Sequence, residues 1–441
     1  MSLTRDASGL LRLGGIDLAD LAMRAGTPAY VYDLDAIAAE ARALQLAFDD
    51  ASHLVAYAVK ANTAGPVLRA VAGQGCGADV VSGAELLVAT SCGVAPEEVV
   101  FSGVAKTDEE IDRAIACGAR GIAALQLESV EEITRVRARA SAAGRRARVS
   151  IRVNPSVNLE GVTHASIATG HDAAKFGVAL DDVGRAVELI GAAGNLDLVG
   201  MAAHAGSQFT SVSPYVEACR VLFGVTRALR SDGRAASLAF VDSGGGFGID
   251  YTAAPTVRRF GTATAPSVLP QPADFVRAAR REQRLVGLDD LALYVEPGRS
   301  LVGTHGILLA RVIQVKVASG ARWLMIDAGM NDLIRPALYQ ARHRVVPVDR
   351  EVDEATALPW RVVGPVCESS DDFGQHSFPA NPPPFVAILD AGAYGYTMAS
   401  SYNGRQLPIE IFVASGRVVA QTSRRSIESW AAERASYLSA F

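Results

Sequence analysis

The stretch "VAYAVKANT", residues 55–63, sets a short apolar run directly against an ammonium group. Residues 55–59 read as a buried strand, because an apolar run this short between polar residues is too brief for a core helix. Lys60 ends the run, and Asn62 and Thr63 follow at once. A lysine in such a place is commonly a surface residue whose stem lies on apolar surface while its head stays in water. It gains a second meaning if the strand ends at a pocket, which depends on what the neighbouring strands do.

From about residue 54 to 298, short apolar runs alternate with helical patterns. The runs are 54–59, 78–81, 99–101, 121–127, 149–153, 199–203, 238–241 and 291–295. Between them, segments such as 107–118, 129–144 and 181–194 open on Ser, Thr or Asp with acids in the first turn and close on Gly, as capped helices do. Eight such alternations predict an α/β fold, a closed (β/α)8 TIM-type barrel, with an open doubly wound sheet as the alternative. The runs lead into Lys60, Ser82, Ser102, Glu128, Asn154, His204, Ser243 and Glu296. In a barrel these ends share one mouth, so eight polar termini imply a polar pocket there.

Beyond about residue 299 the period changes to two, in 306–318, 322–329, 384–394 and 408–420. That pattern predicts a second, C-terminal antiparallel β-sandwich or barrel domain. The expected division is a cofactor-binding barrel over 36–297, with 1–35 and 298–441 forming the β domain.

The chain has 441 residues, 49% apolar and 20% charged, with a formal net charge of -5. That length and composition suit a globular protein of two domains. The charge supplies no basic field for a phosphate backbone, so no nucleic-acid partner is expected. There is no run of 18 apolar residues and no charged-then-apolar leader, so a cytoplasmic protein without membrane association is expected. Five cysteines, odd in number and without a C-x-x-C pair, argue against a disulfide framework or a zinc site.

The pocket's residue types suggest a chemistry. Desolvation lowers a lysine's pKa and frees its amine for Schiff-base formation with a carbonyl. "VDSGGGFGIDY" (241–251) fails the dinucleotide pattern, since Ile249 stands where a third small residue is required. Its glycines can still bring backbone N–H groups close to an anion, although a plain structural turn explains them equally well. Glu296 in "YVEPGRSLVG" (294–303) could keep a ring nitrogen protonated, or simply pair with Arg299. His204 in "AAHAGSQ" can stack on a flat ring, with Ser207 near enough to serve a phosphate. Together these features describe a site for pyridoxal 5'-phosphate.

The segments "YAVKAN", "HAGSQ", "GGGFG", "EPGRSLVG", "RPALY", "GPVCESSD" and "DAGAYGYTMASSYN" run in order from residue 57 to 403. In them the chain resembles the alanine-racemase-like, fold type III decarboxylases that use pyridoxal phosphate. It is most similar to the branch that converts meso-diaminopimelate to L-lysine and carbon dioxide. The resemblance implies that Lys60 holds the cofactor as a Schiff base and His204 stacks on its ring. It further implies that Ser207, Gly246, Gly298 and Arg299 serve the phosphate, that Glu296 pairs with the ring nitrogen, and that Asp79 and Tyr396 also meet the cofactor. For the substrate's second amino-acid head it implies Arg299, Arg335 and Tyr339 on the carboxylate and Glu368 on the ammonium, with Tyr396 meeting both cofactor and substrate. Cys367 would be the proton donor, supplied with Glu368 by the partner subunit of a homodimer with shared active sites. The segment 163–178 matches a loop that lies over the site in the family.

Two departures concern the substrate end. Position 205 is alanine where a bulkier aliphatic is expected, and "QARHR" (340–344) stands where aromatics are expected. Decarboxylases of carrier-bound or siderophore precursors share most of these motifs and form the nearest alternative. A non-catalytic pyridoxal-phosphate-binding regulator is disfavoured because Lys60 and Cys367 are both present. A nicotinamide-dependent oxidoreductase is disfavoured by the failed glycine pattern.

Overall fold

In the computed structural model, which describes residues 3–157, 170, 174–251, 258–259 and 269–436, eight parallel strands close on themselves. They are His53–Ala58, Gly77–Val80, Val99–Phe101, Ala124–Leu127, Ala147–Arg152, Leu196–Ala202, Phe240–Gly245 and Ala292–Glu296. Each pairs with the next, and Ala292–Glu296 returns to pair with His53–Ala58, so the open-sheet alternative is excluded. The fourth strand starts later than its apolar run suggests, at Ala124. The seventh runs on through Asp242 and Ser243 to Gly245, so these polar residues lie within the strand.

The connecting helices form where capping and periodicity agree. Thr107 caps Asp108–Ala116 in a reciprocal bond with Glu110, and the helix buries Ile111, Ala114 and Ile115 on one face. Ser129 caps Val130–Ala142 through the Glu132 N–H. Asp182 precedes Val183–Gly191 without making a side-chain cap.

The chain divides into two compact units. The barrel unit comprises Ile37–Asp250 and Ser267–Leu301; the other comprises Met1–Ala36, Tyr251–Pro266 and Val302–Phe441. Tyr251, within the span expected of the barrel, is grouped with the strand unit because it packs on Arg335 and His343 there.

The strand unit contains a nine-stranded sheet and a small four-stranded one. Its core brings Leu3, Leu11, Leu13 and Leu18 against Val31, Ile307, Leu309, Leu389 and Ile411. Most pairings are antiparallel, as period two suggests, but three are parallel: Ala29–Asp33 with Ile409–Ala414, Ala321–Ile326 with Leu358–Val363, and Leu3–Arg5 with Arg258–Arg259. Alternation reports which faces are buried and carries no information on strand direction, so these pairings were not legible in it.

Candidate active site

Lys60 lies in a short 3₁₀ turn, Val59–Ala61, just past the end of its strand. The turn is held from both sides: the buried Tyr57 hydroxyl donates to the Asn62 carbonyl at 3.0 Å, and Asn62 Oδ1 accepts the Ala64 N–H at 3.0 Å. Asn62 thus leads the chain into the helix Gly65–Ala72, which accounts for the polar residues after the strand. Gly298 packs against this turn; a Cβ there would come within 3.0 Å of Ala61 Cβ and 3.1 Å of Ala58 Cβ.

The Lys60 ammonium bonds to Asp79, whose other oxygen accepts the Ser102 hydroxyl at 2.6 Å. Asp79, Asp242 and Glu296 are all buried here. Burial, then the charge of Glu296, raises the pKa of Asp79 against the pull of Lys60. The same two causes put Asp242 well above the ordinary carboxylate range. Burial would raise Glu296 too, but contact with His204 and the charges of Lys60 and Arg152 hold it at about 2. Negative charge therefore concentrates on Glu296.

His204 Nδ1 accepts the Gly245 N–H at 3.2 Å and lies 3.5 Å from Glu296 Oε2. The Gly245 bond needs a lone pair on Nδ1 and a bond to Glu296 needs a hydrogen there, so one protonation state of the ring serves only one of the two contacts. Asp242 Oδ1 accepts the Gly244 N–H at 2.9 Å, and its carboxyl faces Glu296. One buried carboxyl thus links the glycine turn to the acid at the mouth.

The glycine turn fits a bound phosphate. Gly244 and Gly246 have φ of 70° and 86°, and a Cβ on Gly245 or Gly246 would strike the carbonyl of Glu296 or Gly206. Only glycine lets the chain pass so closely. Arg299 Nη2 donates to Ser207 Oγ at 3.1 Å. The buried Ser300 Oγ has no bonding partner among the described residues. A hydroxyl in want of a partner, a cation and a tight glycine turn, beside a lysine and an ionised acid, are what an anionic carbonyl cofactor with a ring nitrogen requires.

Not every polar strand end serves the mouth. Ser82 caps the helix Gly83–Ser91, and Ser243 accepts the Tyr215 hydroxyl at 2.7 Å while donating to the Tyr294 carbonyl. Glu128 is used structurally, accepting from the Gly103 and Gly177 N–H groups and from Arg152 Nη1. Asn154 Oδ1 accepts the Ser156 N–H in a local turn. Most of the 163–178 loop lies outside the described residues.

In the strand unit, Arg335 opens the five-residue helix Arg335–Tyr339, so Arg335 and Tyr339 lie one turn apart as their spacing suggests. The buried Arg335 donates through Nη1 to the Tyr251 hydroxyl and to His343 Nε2, both at 2.8 Å. Tyr396 sits in the turn Tyr396–Met398, edge-on to the buried Tyr30. Burial, followed by the nearby Glu410, raises its pKa. Cys367 and Glu368 are exposed; the Cys367 N–H donates to Asn403 Oδ1, and the Glu368 carboxylate takes the hydroxyls of Tyr402 and Ser370. Arg152, Asp242, Tyr251 and His343 were not singled out by sequence reasoning. Only the aspartate, two residues before the glycine run, carried a local signal.

A barrel mouth with this lysine, ionised glutamate and glycine cradle defines a class before any comparison is made. The family model of the pyridoxal-dependent decarboxylase, pyridoxal binding domain, matches residues 34–303, and the chain belongs to that family. Its relatives give the branch. The diaminopimelate decarboxylase of Zymomonas mobilis is 38% identical over 426 residues, covering 96% of each chain. That of Neisseria meningitidis serogroup A is 39% identical over 394 residues, covering 89% of this chain and 91% of its own. Among solved structures, diaminopimelate decarboxylase from Helicobacter pylori complexed with L-lysine matches at a TM-score of 0.85 and 32% identity, covering 96% of this chain and 100% of that one. The M. jannaschii enzyme in co-complex with L-lysine matches at 0.87 and 32%, covering 98% and 97%. Among the described residues no helix is long and apolar enough to cross a membrane, and no group of His, Cys, Asp or Glu could hold a metal ion.

Proposed function

We propose that the chain decarboxylates meso-2,6-diaminopimelate to L-lysine and carbon dioxide. The observation that carries this reading is the barrel mouth, where Lys60, Asp79, Glu296 and the glycine turn converge, taken with relatives whose structures hold L-lysine. When bound, pyridoxal phosphate supplies an electrophilic carbonyl and a conjugated ring that takes up the electron pair left by departing carbon dioxide.

The protein's own groups then have definable tasks. Lys60 presents the amine that anchors the cofactor, and Asp79 holds that amine in place. Glu296, ionised, keeps a proton at the ring nitrogen. The Gly246 backbone, Ser207, the 298–300 turn and Arg299 would hold the phosphate, and His204 would serve the ring. At the far end of the substrate, Arg299, Arg335 and Tyr339 take the carboxylate and Glu368 the ammonium, while Tyr396 meets cofactor and substrate. Cys367 Sγ provides the proton that replaces the lost carboxylate. The exposure of Cys367 and Glu368 supports their service to the site of a second copy in a homodimer. A cytoplasmic location, with one free amino acid converted to another, completes the reading.

A site that pairs a charged group rejects analogues lacking it by about 10⁴ or more, because its own charges are left unsatisfied. The test is carbon dioxide release by the cofactor-loaded protein with meso-diaminopimelate, ornithine, arginine and lysine side by side. Release from meso-diaminopimelate alone is expected. Release from none of them, with the cofactor still bound to Lys60, would move the substrate to a carrier-bound or siderophore precursor.

A further inference from the structure

The hairpin loop that carries Cys367 and Glu368 closes around a buried acid. It joins the antiparallel strands Leu358–Val363 and Asp372–Phe378, and its last residue, Asp371, is buried although the four residues before it are exposed. Asp371 Oδ2 accepts the Val366 N–H at 2.6 Å, one residue before Cys367. Oδ1 accepts the Met330 N–H, also at 2.6 Å, from the segment that follows the strand Ala321–Ile326. The Asp371 N–H donates to the Glu368 carbonyl at 3.2 Å, and the Asp371 carbonyl accepts the Gly364 N–H at 3.2 Å. One residue thus spans the loop and ties it to a neighbouring segment.

The surrounding chain is shaped to this carboxylate. A Cβ on Gly364 would strike it, and one on Gly329 would come within 3.0 Å of it. The rest of the loop is held as well: Asn403 Oδ1 accepts the Cys367 N–H at 2.9 Å, and Arg405 Nη2 donates to the Pro365 carbonyl at 3.1 Å. Two successive amides, of Val366 and Cys367, are therefore taken by two side chains, so the exposed Cys367 and Glu368 stand on a fixed backbone.

We propose that Asp371 is a positioning residue for the reaction: its carboxylate sets the loop backbone that aims Cys367 Sγ and the Glu368 carboxylate at the substrate. This rests on the reading of Cys367 as the proton donor and Glu368 as the ammonium contact. Asp371 touches neither substrate nor cofactor in that reading and acts through the Val366 amide. Hydrogen bonds to an ionised carboxylate are roughly twice as strong as neutral ones, so two of them hold a loop firmly. A reacting group misplaced by about 1 Å costs about 100-fold in rate. Asparagine keeps one carbonyl acceptor but turns an NH₂ toward the other N–H, so it can satisfy only one of the two amides.

The experiment uses the cofactor-loaded enzyme and its Asp371→Asn, Asp371→Ala and Gly364→Ala variants. KM and kcat for meso-diaminopimelate are measured in H₂O and in D₂O, with cofactor affinity by dialysis and amide hydrogen exchange at Val366 and Met330 by mass spectrometry. Turnover should fall about tenfold in Asp371→Asn and about 100-fold in Asp371→Ala, with cofactor affinity at the wild-type value. Proton delivery then becomes the slow step, so the solvent isotope effect on kcat should grow as kcat falls. Both amides should exchange faster in Asp371→Ala. Gly364→Ala keeps the acid but displaces it, and should show the same losses even if Asp371→Ala fails to fold. A merely stabilising Asp371 would lower the thermal midpoint and leave kcat and the isotope effect of the folded enzyme unchanged; that result, or wild-type exchange at both amides, overturns the proposal. If Cys367→Ala keeps wild-type turnover, the failure lies in the proton-donor assignment, and the exchange rates alone decide whether Asp371 holds the loop.

Discussion

Asp242 offers the sharpest test of how the barrel mouth is kept in order. Its carboxyl accepts the Gly244 N–H at 2.9 Å and faces Glu296, and burial followed by the Glu296 charge raises its pKa, which favours the protonated form. A protonated Asp242 can donate to Glu296 while accepting from Gly244, and an asparagine can do the same with its NH₂ and carbonyl. Asp242→Asn should therefore bind the cofactor within about threefold of the wild type. Asp242→Ala strands a buried N–H, at about 1–3 kcal/mol. With about 1–2 kcal/mol falling on the cofactor site, affinity should drop roughly 5- to 30-fold. Equilibrium dialysis with pyridoxal phosphate measures this directly. If asparagine proves as damaging as alanine, Asp242 works as an anion and the protonated reading is wrong; if alanine is harmless, the carboxyl links nothing.

Lys60→Ala should abolish the visible absorbance of the lysine-bound cofactor, since no other group at the 59–61 turn is a primary amine; an unchanged spectrum would place the attachment elsewhere. Cys367→Ala should keep that spectrum and lose most turnover, and dimers mixed from the two variants should regain part of it if sites are shared. Failure to recover in verified mixed dimers would mean that each subunit serves itself. Gly246→Ala puts a side chain at φ 86° and against the Gly206 carbonyl, costing about 1–3 kcal/mol in strain, so cofactor affinity should fall at least tenfold in the same dialysis assay. Burial lifts the Glu410 carboxyl to about 7 despite the Tyr32 hydroxyl. The folded state then holds this proton more tightly than the unfolded chain, so the associated stability is present below about pH 4.5 and lost as pH rises to about 7. Thermal midpoints measured across that window should fall less steeply for Glu410→Gln, and identical slopes would exclude Glu410 as a source.

The barrel was legible because its evidence is local and repeated: each strand is a short apolar run and most helices carry their own caps. Lys60, His204 and Glu296 were legible for the same reason, each standing at the end of such a run. Asp242 was harder, since an acid within a strand shows its purpose only once the neighbouring strand is in register and Glu296 lies beside it. His343 reads locally as part of a solvated basic run, and its partners Arg335 and Leu389 are brought to it by the sheet. Ser82 and Ser243 show the converse. Both look like pocket residues in the sequence, yet one caps a helix and the other bonds to the Tyr215 hydroxyl.

The barrel closes between the strand that leads into Lys60 and the strand that ends in Glu296, with Val55 opposite Val295 and the Ala58 N–H donating to the Pro297 carbonyl at 2.9 Å. These are the first and last strands of the barrel in sequence, and such distant pairings form late because long loops must close first. During synthesis, Lys60, Asp79 and His204 are therefore made long before the residues that complete their site. A nascent chain that has not reached Ala292 carries the reactive lysine without its acid or the 298–300 turn. If Lys60 and Glu296 both hold the cofactor, its stable loading requires the finished barrel.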